Sequence, residues 1–84
     1  PSLASTPISN IKIVGIFLGK DRRAVAALRS GSQNTFILKE GMQIGENKAE
    51  IKAILPGGIV LVEKIRNVYD QEEFLETIIP VSSN

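Results

Sequence analysis

The stretch Ile11-Lys12-Ile13-Val14-Gly15-Ile16-Phe17-Leu18, closed by Gly19-Lys20-Asp21-Arg22, reads as a strand that is apolar on both sides. Successive side chains of a strand point to opposite faces. Ile11, Ile13 and Phe17 then share one face, and Val14, Ile16 and Leu18 share the other behind Lys12. A strand with one wet face alternates apolar and polar residues instead. This one must be covered twice, by layers of its own domain or by a partner laid against it.

Working outward, turn signals recur at Gly19 to Arg22, Ser30-Gly31-Ser32, Gly41 to Lys48, Pro56-Gly57-Gly58 and Asn67 to Gln71. Short apolar segments between such signals indicate an all-β sandwich or barrel. The expected strands are about 9–18, 23–30, 33–39, 49–55, 58–65 and 72–81. Arg23 to Leu28 suits a helix by propensity but is too short to stand as one between two turns. Its small residues suit a strand approached closely by another layer. The fold class is therefore all-β: a small antiparallel β-sandwich or half-open barrel of about six to seven strands. Ile11, Ile13, Phe17, Phe36, Leu38, Ile51, Ile54, Leu61 and Ile78 are the expected core, and Phe74 also sits in an apolar strand pattern.

The last segment admits two readings. Asp70-Gln71-Glu72-Glu73 ahead of Phe74, Leu75, Ile78 and Ile79 fits an N-capped helix. It fits a return strand as well, and the β-branched run Thr77-Ile78-Ile79 with Pro80 behind it favours the strand.

The chain has 84 residues, so it makes one domain with a thin core. It is 43% hydrophobic and 23% charged, the balance of a globular domain rather than a disordered tail. Pro1 to Ile8 reads as a linker remnant, 9–81 as the β-domain and 82–84 as a tail. No signal peptide, lipidation cysteine or membrane-length apolar run stands in this stretch, so a targeting element is expected either upstream of it or not at all.

The chain has no cysteine and no histidine, which removes disulfides, thiolate metal sites and the commonest general acid-base. The acids Asp70, Glu72, Glu73 and Glu76 match no calcium loop and read as a solvated face. Gly41 and Gly45 lack the further residues of a phosphate-binding loop and read as tight turns. No catalytic residue, metal ligand or cofactor is expected. A net charge of +1 argues against a large phosphate footprint.

The ordered features Ile11-Lys12-Ile13-Val14-Gly15-Ile16, the small-residue strand Ala24 to Leu28, Phe36-Ile37-Leu38-Lys39, Gly41-Met42-Gln43-Ile44-Gly45, Ile51-Lys52-Ala53-Ile54 and Ile59-Val60-Leu61-Val62-Glu63 resemble the PilP family of type IV pilus assembly lipoproteins. They are more distantly similar to the homology region of the type II secretion protein GspC. The resemblance spans about Ile8 to Pro80 and rests on hydrophobic spacing and glycines. The connection Lys64 to Asp70 and the acidic start of the last strand depart from it.

The resemblance implies a non-enzymatic β-sandwich in the periplasm, tethered to the inner membrane through an upstream anchor. It implies binding to the N-terminal periplasmic domain of the secretin, and a link from inner-membrane pilus assembly proteins to the outer-membrane channel. It also weighs for a strand at the chain's end. A docking surface is expected on the first strand and its turn: Lys12, Val14, Ile16 and Leu18, with Lys20 and Arg22 at the rim. The rival reading, an SH3-like or OB-like barrel binding RNA through Lys12, Lys20, Arg22, Arg23 and Arg29, is weakened by near-neutral charge and few aromatics. No nucleic-acid partner is expected.

Overall fold

The computed structural model describes residues 3–31 and 34–82. Among these residues seven strands form two antiparallel sheets: β1 (Ile11–Leu18), β2 (Arg22–Leu28) and β3 (Thr35–Lys39) in one, and β4 (Gln43–Ile44), β5 (Ala49–Leu55), β6 (Gly58–Arg66) and β7 (Glu72–Pro80) in the other. Both follow chain order, because each turn simply reverses the chain into its neighbour. The sheets do not close into a barrel. They are stitched at one corner, where Val81 bridges Ile13 in parallel and Ser82 N–H donates to the Ile13 carbonyl at 2.7 Å.

The two inner faces meet over Ile11, Ile13, Ala24, Ala26 and Leu38 on one side, and Ile44, Ala49, Ile51, Ile54, Ile59, Leu61 and Ile79 on the other. Seven of the nine residues expected inside lie in this core or, for Phe36, pack against it. Phe17 and Ile78 do not: they are 59% and 65% exposed. A β-bulge accounts for Phe17. Ile13 pairs with Ala26 and Gly15 with Val25, so Val14 is an extra residue and the alternation inverts beyond it. Ile16, opposite buried Ala24, now turns inward and Phe17 outward. Glycine inside a strand is the local signal for such a bulge. A second bulge at Lys52 brings Ile51 and Ile54, three apart, to the same inner face.

Ile78 pairs with Val60 on the outer side of its sheet, since β7 alternates regularly and Ile79 is the inward residue. Phe74 is likewise exposed, opposite Lys64. The chain's last segment is a strand, with no helix at Asp70.

Residues 3–8, read as linker, pack on the body: Leu3 and Thr6 are buried, and the N–H groups of Gly45 and Glu46 donate to their carbonyls at 2.9 and 3.0 Å. Short 3-10 turns at Leu3–Ser5 and Ile8–Asn10 carry the chain into β1. Gly45 must stay small for this packing, having φ of +82° and a would-be Cβ 2.8 Å from the Ile8 side chain. Gly41, with φ of +92°, completes the pair of tight turns around the short strand β4, which had no counterpart among the expected strands. Pro1, Ser2, Ser32, Gln33, Ser83 and Asn84, and with them parts of the expected linker, turn and tail, lie outside the described residues.

Candidate docking face

The outer face of the β1–β2–β3 sheet is built from three cross-strand rows. Lys12, Ala27 and Thr35 form one row, Gly15, Val25 and Ile37 the next, and Phe17, Arg23 and Lys39 the third. The rows follow from the two-residue period of each strand once the bulge at Val14 is taken into account. At their centre Val25 is half-buried and Ile37 is 51% exposed, with exposed Phe17 beside them. Gly15 leaves Val25 uncovered from the β1 side: a Cβ there would only touch it at 3.8 Å.

The rim is cationic. β1, β2 and β3 carry Lys12, Arg22, Arg23 and Lys39 and not one acid. Asp21 in the turn reaches Arg23 at 3.9 Å, a long and exposed contact that offsets little of this charge. The strands of the other sheet hold Glu50, Glu63, Glu72, Glu73 and Glu76 against Lys52, Lys64 and Arg66. The net charge of +1 thus conceals an uneven distribution: the first sheet's strands carry only cations, while the second sheet balances its outer side and keeps its acidic excess, Glu63 and Glu73, on the other.

The structure distributes the six residues expected to dock. Lys12 lies on the outer face and Val14 is exposed at the bulge. Ile16 is half-buried against the core, and Leu18, opposite Arg22, is exposed at the strand's end. Lys20 and Arg22 line an open depression of about 450 Å³ with Asp21, Lys39 and Glu40. There Arg22 Nη1 donates to the Ile54 carbonyl at 3.1 Å and Glu40 Oε2 accepts from Ile54 N–H at 2.9 Å, so these side chains clasp one sheet to the other. Lys12 is brought to the apolar face, Val14 is exposed at the bulge without a place in its rows, Ile16 is withdrawn from it, and Lys20 and Arg22 lie at its end.

Phe17, Val25, Ile37, Arg23 and Lys39 are the residues of this surface that the expected docking set did not include. Alternation along Arg23-Val25-Ala27 and Thr35-Ile37-Lys39, and the lack of acid in the first three strands, are the signals that mark them. Among the described residues no group of three or more His, Cys, Asp or Glu could hold a metal ion, and no helix is long and apolar enough to cross a membrane.

No family model matches this chain, and no curated protein matches it. Among solved structures, the solution structure of PilP from Pseudomonas aeruginosa superposes with a TM-score of 0.77, covering 98% of this chain and 72% of that one at 16% identity. The fold is PilP-like. The agreement covers both sheets and the 3-10 turns ahead of them, while the side chains on the PilP-like framework are largely this chain's own.

Proposed function

We propose that this domain is a non-enzymatic periplasmic adaptor of a type IV pilus assembly machine, with the related type II secretion machine as the other setting for the same role. In this reading its β1–β2–β3 face docks on the N-terminal periplasmic domain of the secretin, and an upstream anchor ties it to the inner-membrane assembly proteins. The observation that carries the reading is the pair of exposed residues Phe17 and Ile37 around half-buried Val25 on a PilP-like sandwich. A central apolar cluster with a polar rim is the anatomy of a protein–protein interface. The cations Lys12, Arg23 and Lys39 would steer an acidic partner and fix its register.

The test is titration calorimetry of the domain with the secretin's N-terminal domain. Phe17→Asp and Ile37→Asp should each weaken binding by about thirtyfold or more, the scale of an interface hot spot, with circular dichroism unchanged. Ile16→Asp should instead unfold the domain, because its side chain packs on the core. Parent-like affinity in both outer-face variants would remove this face from the interface. Failure of the parent domain to bind secretin domains of either machine would remove the adaptor reading.

A further inference from the structure

The β6–β7 hairpin outruns the sheet to which it belongs. β5 pairs with β6 only from Gly58 to Val62, so Glu63–Arg66 and Glu72–Leu75 continue as a two-stranded ribbon with no third strand beside them among the described residues. Such a ribbon is marginal by itself in water. Here its turn is locked. Asn67 Oδ1 accepts from Tyr69 N–H at 2.9 Å and Gln71 N–H at 3.0 Å, and Arg66 Nη1 donates to the Asp70 carbonyl at 2.9 Å and to its carboxylate at 3.1 Å. What this ordered turn presents is apolar: Val68 is 93% exposed and Tyr69 79%.

The two sides of the ribbon differ in charge. On the outer side Lys64 meets Glu72 at 3.3 Å and Arg66 meets Asp70, so opposite charges are matched within the ribbon. The inner side, continuing the core face, places Glu63 opposite Leu75 and Ile65 opposite Glu73. It carries no cation, and among the described residues neither Glu63 nor Glu73 takes part in an ion pair. Ile65 and Leu75 are exposed between these carboxylates.

We propose that this ribbon is a second docking arm, whose occupant is an apolar protein segment bearing lysine or arginine. Charge complementarity selects that chemistry: a cationic, apolar strip would cover Ile65 and Leu75 and neutralise Glu63 and Glu73 together. Like charges across the contact would turn away an acidic partner suited to the β1–β2–β3 face. The domain then holds two partners of opposite charge at different residues. The locked turn means that little ordering entropy is lost on binding. This inference stands whether or not the first partner is a secretin.

The test uses the purified domain and two synthetic amphipathic helical peptides with the same leucine pattern, one with lysines and the other with glutamates on the polar face. Amide chemical shifts are followed by NMR during titration. The lysine peptide should move Glu63, Ile65, Val68, Tyr69, Glu73 and Leu75, while the glutamate peptide leaves them unmoved. Glu63→Lys with Glu73→Lys should weaken the lysine peptide about tenfold or more, and the paired glutamine variants by less. Neither pair should change secretin affinity. Equal ribbon shifts from both peptides, none from either, or ribbon shifts on raising the domain's concentration alone, which would make a second copy the occupant, would each overturn the proposal. So would loss of secretin binding in the glutamine variant, since the ribbon would then belong to the first interface.

Discussion

Replacing Ile13 by alanine and, separately, Phe17 by alanine tests the bulge on which the outer face depends. Both residues fall on one side of an unbroken strand, and on size alone Phe17 should be the more costly loss. The structure reverses that order. Ile13 is fully buried, its carbonyl accepts from Ser82 N–H, and its backbone bridges Val81 where the two sheets are stitched. Truncation removes three carbons worth about 0.8 kcal/mol each, or roughly 2.4 kcal/mol, before any cavity term. With the cavity the loss should reach about 3–4 kcal/mol. Phe17 keeps only roughly two-fifths of its surface covered, so its truncation should cost about 1 kcal/mol. A domain of this size has about 4–13 kcal/mol in total, so the first change is severe and the second mild. In urea, with a slope of about 1.2 kcal/mol/M, the Ile13→Ala midpoint should fall by about 2.5–3.3 M and the Phe17→Ala midpoint by under about 1 M. A Phe17→Ala loss equal to or above that of Ile13→Ala would mean that the strand runs without the bulge, and the outer face as described would not exist.

Other outcomes follow from single contacts. Gly58→Ala would set a Cβ against the Ile79 carbonyl oxygen and 2.8 Å from Pro80 Cα, backbone that cannot step aside, and should cost about 1–3 kcal/mol by thermal unfolding. Gly19→Ala, with open space around it, should stay within about 0.5 kcal/mol of the parent. Asn67→Ala removes the acceptor of two backbone N–H groups, so hydrogen exchange at Tyr69 and Gln71 should quicken while global stability falls by no more than about 1–2 kcal/mol. Leu3→Ala should lower the thermal midpoint measurably, because residues 3–8 belong to the packed body; an unchanged midpoint would return them to the status of a linker.

Segregated charge changes what the net value of +1 implies about binding. An evenly mixed surface predicts binding that is indifferent to salt. With Lys12, Arg23 and Lys39 around one apolar face, association with an acidic partner should slow as ionic strength rises, the apolar contacts holding the dissociation rate nearly constant.

The sequence by itself determined the all-β class, the positions of six of the seven strands, the turn glycines and most of the core, because these depend on local matters: apolar period, turn chemistry and strand length. Pro56-Gly57 closes its hairpin, and Ile11, Ile13, Leu38 and Leu61 are buried as their alternation requires. The resemblance to PilP was likewise legible in the order of these features. Tertiary structure decided what crosses between elements. The bulge at Val14 exchanged the faces of Ile16 and Phe17, since one unpaired residue reverses every side chain beyond it. Leu3 and Thr6 are held against the chain at and just after β4, where the N–H groups of Gly45 and Glu46 donate to their carbonyls, which no local pattern announces. The candidate docking face depended most on assembly: Phe17, Val25 and Ile37 come from three strands, and only pairing in register makes them one surface, with the cations of three strands around it.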